Sequence, residues 1–211
     1  MKINEIFKSI QGESTYAGLP CIFVRLTGCN LRCSYCDTTY AYEEGKDLNL
    51  AEVLKRVRAF SCSLVEVTGG EPLLQEEAYS LMEKLLENGY QVLLETNGSQ
   101  DISRVDPRVI RIIDIKCPDS GMSEKMDWEN MKRLKKNDEV KFVLSSRTDY
   151  QWAKAIISRY DLGRKVRVLV SPAMGRLQAE TLAEWILRDA LPVRLQLQMQ
   201  KYIWPQHLRK V

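Results

Sequence analysis

Cys29-Asn-Leu-Arg-Cys33-Ser-Tyr-Cys36 sets three thiols in a short loop with the spacing C-x3-C-x2-C. Four cysteines usually close a cubane iron–sulfur cluster. Three leave one iron open, and an open iron can hold a substrate or cofactor, so the cluster becomes a reagent as well as an electron carrier. Two plainer chemistries use the same residues. A structural zinc site needs a fourth ligand; the only histidine is His207, in a polar stretch far along the chain, and no second C-x2-C pair or local histidine accompanies the loop. A thioredoxin-like redox pair made by Cys33 and Cys36 leaves Cys29 without a task. It also calls for a helix at once, where Thr38-Thr39-Tyr40 reads as loop.

Other polar motifs punctuate apolar stretches. Gly69-Gly70-Glu71-Pro72 is a tight turn whose glycines let backbone approach a ligand closely. Its carbonyls and carboxylate could accept hydrogen bonds from an ammonium group, although alone it is often only a turn. Gln11-Gly12-Glu13-Ser14 also reads as a turn. Arg25 alternates with apolar neighbours and so points to one face of its strand. Inside a barrel it needs a partner. A bound carboxylate or Glu13 could serve, with bidentate geometry; otherwise an Arg–Glu pair merely fixes an edge.

These motifs need elements to position them. Apolar runs predict strands at Ile22–Leu26, Leu64–Thr68, Gln91–Glu95, Ile110–Ile115, Val140–Leu144, Val166–Val170 and Val193–Met199. They read as covered on both faces. Lys2–Phe7 adds an edge strand. Helices are expected at Leu50–Phe60, where Asn49 and Glu52 form a capping box, and at Glu76–Glu87, stopped by Asn88-Gly89. Tyr150–Arg159 and Gln178–Arg188 follow, with a shorter helix at Trp128–Leu134. The alternation argues for a largely parallel sheet with right-handed crossovers. Between Glu95 and Ile110, where Asp106-Pro107 sits, a full crossover helix has little room. The expected fold is therefore α/β, a compact, partial (βα) barrel formed by residues 1–211 as one domain. In such sheets the active site lies at the carboxyl ends of the strands. The cysteine loop, the Gly-Gly-Glu-Pro turn, Glu95-Thr96-Asn97-Gly98, Asp114-Ile115-Lys116-Cys117-Pro118 and Ser171-Pro172 all fall there.

The 211 residues carry a formal net charge of +3, too little to argue for nucleic acid. The basic run Lys132, Arg133, Lys135 and Lys136 reads as a solvated face. No apolar run is long enough for a membrane span, and the first residues show no signal-peptide apolar region. The expected location is a reducing cytoplasm, where structural disulfides are rare. Cys21, Cys62 and Cys117 are isolated in or beside apolar stretches and read as small buried hydrophobes, not a second cluster set.

The cysteine loop after an apolar strand, followed by Gly69-Gly70-Glu71-Pro72, resembles the signature of the radical S-adenosylmethionine (SAM) superfamily. The segments Ile6-Phe-Lys-Ser-Ile-Gln-Gly-Glu13, Phe23-Val-Arg-Leu-Thr-Gly-Cys29, Cys36-Asp37-Thr38 and Gln198-Met-Gln-Lys-Tyr202 resemble the 7-carboxy-7-deazaguanine synthase family. That resemblance implies rearrangement of 6-carboxy-5,6,7,8-tetrahydropterin to 7-carboxy-7-deazaguanine with loss of ammonia, on the route to queuosine. A [4Fe-4S] cluster would cleave SAM to a 5′-deoxyadenosyl radical that takes hydrogen from C6, the ring would contract, and SAM would be regenerated. No side chain is assigned as acid or base.

By the same resemblance, Cys29, Cys33 and Cys36 hold the cluster and Thr38 ligates Mg2+, a cation that favours hard oxygen ligands. Ile10, Gln11, Gly12, Glu13, Arg25, Thr68 and Gln200 line the pterin site; Gln200 stands where some relatives carry histidine. Tyr35, Asp37, Gly69, Gly70, Glu71, Asn97 and Lys116 contact SAM, with Tyr35 against adenine and Glu71 within the turn that receives the amino group. The resemblance also implies a homodimer and a one-electron donor such as flavodoxin or ferredoxin. The rival readings are a glycyl-radical-enzyme activase, against which Gln11-Gly12-Glu13 and Thr38 argue, and a non-catalytic iron–sulfur or zinc-binding module.

Overall fold

A computed structural model describes residues 1–205 and 209–210. His207, the fourth ligand of the zinc reading, lies outside the described residues. The strands are β1 (Lys2–Ile10), β2 (Pro20–Leu26), β3 (Lys46–Asp47), β4 (Leu64–Gly69), β5 (Gln91–Thr96), β6 (Ile110–Ile115), β7 (Glu139–Leu144), β8 (Arg167–Pro172) and β9 (Arg194–Leu195). They form one sheet in the order β3-β1-β2-β4-β5-β6-β7-β8-β9. β1 runs antiparallel to β2 and β3, and every pair from β2 to β9 is parallel. The barrel is partial, as expected: β5 passes to β6 with no helix, and β6 to β7 through single 3-10 turns.

The helices are α1 (Leu50–Arg58), α2 (Glu77–Glu87), α3 (Arg147–Arg159), α4 (Leu162–Lys165), α5 (Ala179–Asp189) and α6 (Gln200–Ile203). α1 starts at the Asn49–Glu52 capping box, both reciprocal bonds present. α2 buries Ala78, Leu81, Met82 and Leu85, a helical i, i+3, i+4, i+7 stripe. It stops where Gly89 takes a φ of 83°. α3 begins earlier than Tyr150, because the Ser146 hydroxyl accepts the Asp149 amide and caps a further turn.

Three expectations need correction. β1 reaches Ile10, and β3 lies outside it at the sheet edge. The segment 128–134 is a 3-10 turn from Trp128 to Lys132. The stretch Val193–Met199 pairs with β8 only at Arg194 and Leu195. Beyond them its backbone turns aside: Gln196 N–H still bonds Val170 O, but Met199 N–H bonds Gly12 O.

The two sheet faces differ. Ile22, Val24, Val65, Val67, Val92, Leu94, Ile113, Val140, Phe142 and Val168 belong to the large core shared with the helices. The alternate residues form a two-tier interior. Phe7, Cys21, Phe23, Leu64, Leu93 and Ile112 make an apolar floor, with Phe7 stacked on Phe23 at 5.0 Å. Two residues further along each strand the side chains become Arg25, Glu66, Glu95 and Asp114, joined by Lys141 from β7. The strands are thus not uniformly apolar; β2, β4, β5 and β6 each carry one charged residue on the inner face, and β7 carries Glu139 and Lys141. Among the described residues no helix is long and apolar enough to cross a membrane.

Candidate active site

A cavity of about 710 Å³ opens over this charged tier at the carboxyl ends of the strands. It is lined by Cys29, Cys33, Tyr35, Cys36, Asp37 and Thr38 from the loop after β2, and by Gly69 and Gly70 from the turn after β4. Asn97 and Lys116 enter from the ends of β5 and β6. Ile10, Gln11, Gly12 and Glu13 follow β1, Arg25 and Thr68 come from the strands, and Gln200 from α6. The cavity therefore gathers every residue assigned from the resemblance to the cluster, magnesium, cofactor or pterin except Glu71.

Glu71 is fully buried beneath the turn. Its carboxylate accepts bonds from the Thr96 hydroxyl at 2.8 and 2.9 Å, the Asn97 amide at 2.7 Å and the Leu73 amide at 3.0 Å. It joins the loops after β4 and β5 instead of lining the cavity. Burial pushes its carboxyl up to about 7, against the pull of those bonds. The glycines above it have no room for side chains. Gly69 adopts a φ of 150°, and a Cβ there would lie 2.7 Å from Leu26 N; one on Gly70 would lie 2.8 Å from Cys29 Cβ. The turn thus packs backbone directly against the cysteine loop.

Arg25 meets Glu5, not Glu13. The two are cross-strand neighbours in β1 and β2, with Nε 2.8 Å from Glu5 Oε1. Sequence reasoning passed over Glu5 because a carboxylate in an edge strand ordinarily faces water; here it is buried. Arg25 Nη1 and Nη2 have no hydrogen-bond partner among the described residues, and the side chain lines the cavity.

Glu13 instead accepts bonds from Lys141 Nζ at 2.8 Å and from the amides of Gln198 and Gln200, each at 2.9 Å. Burial would raise its pKa, but Lys141 and the three bonds outweigh that and hold it below the ordinary carboxylate value. Lys141 Nζ also bonds Glu95 closely and lies 3.6 Å from Asp114. Asp114 in turn takes Lys116 at 2.7 Å. Glu66 accepts a short bond from Gln11. Burial, with Glu95 nearby, pushes Glu66 up to about 8. Lys141 and Glu66 were missed in the sequence reading, and Glu95 was placed at the active-site end of its strand without its lysine partner; the available signal was a charge amid β-branched residues at a fixed height in successive strands.

Tyr35 donates its hydroxyl to Val143 O at 3.2 Å and carries the Arg176 guanidinium 5.6 Å from its ring centroid. Asp37 pairs with Lys201 at 2.7 Å and accepts the Thr38 hydroxyl at 3.0 Å.

The donor set fits an iron–sulfur cluster. Cys29, Cys33 and Cys36 are free, half-buried thiols on one cavity wall. Burial holds Cys33 up at about 11 and also raises Cys29, so loading requires their deprotonation. Among the described residues no three His, Cys, Asp or Glu side chains converge as a site for one bare metal ion. Cys21 and Cys117 are buried and Cys62 half-buried, all outside the cavity.

Comparison with known proteins agrees with this geometry. A radical SAM superfamily model matches residues 23–114. The 7-carboxy-7-deazaguanine synthase of Chlorobaculum tepidum is 49% identical, over 100% of this chain and 97% of the relative. That of Koribacter versatilis is 44% identical over 97% of each. The crystal structure of QueE from Escherichia coli superposes with a TM-score of 0.80 at 21% identity, covering 94% of this chain and 93% of that one.

Proposed function

Because the chain belongs to the 7-carboxy-7-deazaguanine synthase family of radical SAM enzymes, we propose that it converts 6-carboxy-5,6,7,8-tetrahydropterin to 7-carboxy-7-deazaguanine with loss of ammonia. The observation that carries this reading is the meeting of the three thiols, the Gly69-Gly70 turn and the Gln11–Glu13 loop around one cavity. Family membership sets aside the activase and the non-catalytic module.

Cys29, Cys33 and Cys36 would hold a [4Fe-4S] cluster, which when bound supplies the electron that cleaves SAM to methionine and the radical that takes hydrogen from C6. The chain's own residues bind and orient. Gly69 and Gly70 present backbone to the cofactor beside the cysteine loop, with Asn97 and Lys116 from the neighbouring strand ends. Tyr35, fixed by its bond to Val143 O, offers a ring face for adenine, and Asp37 a carboxylate. The free Nη atoms of Arg25 suit the substrate carboxylate. Gln11, Glu13 and Thr68 supply acceptors and donors to the bicyclic ring, with the Ile10 and Gly12 backbone and Gln200 completing the wall. The Thr38 hydroxyl beside Asp37 offers hard oxygen to magnesium. We read the enzyme as a cytoplasmic homodimer served by a flavodoxin or ferredoxin, on family resemblance. One site drawing on residues from Ile10 to Lys201 supports a single working domain.

Anaerobic turnover of the reconstituted protein with SAM, dithionite, magnesium and 6-carboxytetrahydropterin tests the proposal by mass spectrometry. Formation of 7-carboxy-7-deazaguanine is expected. Cluster-loaded, SAM-binding protein that leaves the pterin unchanged would overturn the substrate assignment.

A further inference from the structure

The charged tier is unevenly paired. Arg25 is committed to Glu5 and Lys116 to Asp114. Glu13, Glu66 and Glu95 remain, and the remaining central cation is Lys141. Its side chain is only 5% exposed, and its Nζ bonds Glu13 and Glu95 at once. These carboxylates come from distant parts of the chain: Glu13 from the loop after β1, Glu95 from β5. Neither is tied to the other except through Lys141. Glu13 is further braced by Gln198 and Gln200, while among the described residues Glu95 otherwise receives only the Thr68 hydroxyl, at 3.4 Å.

We propose that Lys141 is a positioning residue for the substrate: it spans Glu13 and Glu95 and sets them as two hydrogen-bond acceptors, at fixed separation, for the amino and ring N–H groups of the pterin. The 2-amino-pyrimidinone edge of a pterin is a guanidine-like array of donors. Such an edge pairs best with carboxylates already held apart and oriented, because binding then need not order them. Glu13 and Glu95 set two carboxylates against one ammonium and so leave acceptor capacity that a donor-rich pterin edge can use. Lys141 lies within the tier as a spacer; its ammonium bonds Glu13 and Glu95 and lies 3.6 Å from Asp114, and it bonds neither the cysteine loop, the Gly69-Gly70 turn nor Tyr35.

The assignment uses the pterin reading to choose the probe, and its test separates the two. Lys141→Met and Lys141→Arg holoenzymes are prepared by anaerobic reconstitution. Affinities for SAM and for 6-carboxytetrahydropterin are measured by calorimetry, and kcat and KM by product formation. Lys141→Met is expected to weaken pterin binding by roughly tenfold or more, as befits loss of the group orienting two charged acceptors, with SAM affinity held within about twofold. The loss should fall on KM more than on kcat, and Lys141→Arg should recover part of it. Should Lys141→Met fail to fold, Glu95→Gln with Lys141→Met removes one of the two carboxylate charges left without a cation; it is then compared with Glu95→Gln alone, and a further loss of pterin affinity is expected. Wild-type pterin affinity in Lys141→Met, or in the double variant relative to Glu95→Gln, overturns the proposal. Equal losses for SAM and pterin also overturn it, since a purely structural cation would act on both. Failure of the wild-type protein to bind the pterin at all would instead refute the substrate reading.

Discussion

Gly12 and Gln200 fit together with no space for a side chain between them. A Cβ on Gly12 would overlap the Gln200 amide and lie 2.9 Å from its backbone nitrogen. Met199 N–H bonds Gly12 O beside this contact at 3.0 Å. The segment 198–200 is thereby laid against the loop after β1, closing the side of the barrel that the sheet leaves open.

Gly12→Ala should displace Gln200 and with it one of the two amides bonded to Glu13. The expected result is a rise in KM for the pterin of roughly tenfold, with SAM binding retained. Steady-state kinetics beside SAM titration would check it. An unchanged KM would show that the segment yields freely.

Arg25→Ala should act twice. It leaves the buried Glu5 carboxylate without its cation, at a cost of about 3 kcal/mol in urea unfolding, and it slows turnover while sparing the cluster. Adding Glu5→Gln should restore most of the stability and none of the turnover. If the double variant regains turnover as well, Arg25 serves only the strand pair.

Cys33→Ala should abolish both iron and sulfide incorporation and SAM cleavage, with far-ultraviolet circular dichroism retained because the thiol lies on the cavity wall. Cleavage that persists in the variant would remove Cys33 from the ligand set.

Glu66 makes stability depend on pH in a direction opposite to that of a paired carboxylate. Burial first, and the nearby Glu95 second, raise it from the ordinary 4.5 to about 8. The folded state therefore binds more protons than the unfolded one between those values. The contribution is fully present below the unfolded pKa and is lost as pH rises through about 8. Glu66→Gln should thus gain stability relative to wild type as pH rises from 5 to roughly 8.5, by up to about 1.4 kcal/mol for each pH step of one. Urea midpoints of the reduced protein at both pH values would measure it, and a difference that stays constant would place the charge elsewhere in the tier.

Much of this was legible in the sequence. The cysteine spacing, the paired glycines and the capping box at Asn49 act locally, so adjacent residues determine them. The parallel sheet followed from the alternation of apolar runs and amphipathic segments. Pairings across the barrel were harder to read. Whether Arg25 meets Glu5 or Glu13 depends on the register of β1 against β2 and on which side of the sheet the next loop passes. Glu71 looked available because a carboxylate in a turn commonly is; only the approach of Thr96 and Asn97 buries it. Lys141 was hidden by its position inside a strand, where the apolar neighbours Val140, Phe142 and Val143 dominate the pattern.

The bond between Glu13 and Gln200 closes a separation of 187 residues, and that between Glu13 and Lys141 one of 128. Strand pairs such as β4 with β5 span far less chain. Loop-closure entropy grows slowly with length, and contacts so remote in sequence slow folding as a whole. During synthesis the cysteine loop and the sheet precede the segment that closes the side wall, leaving an interval in which the cavity stands open laterally.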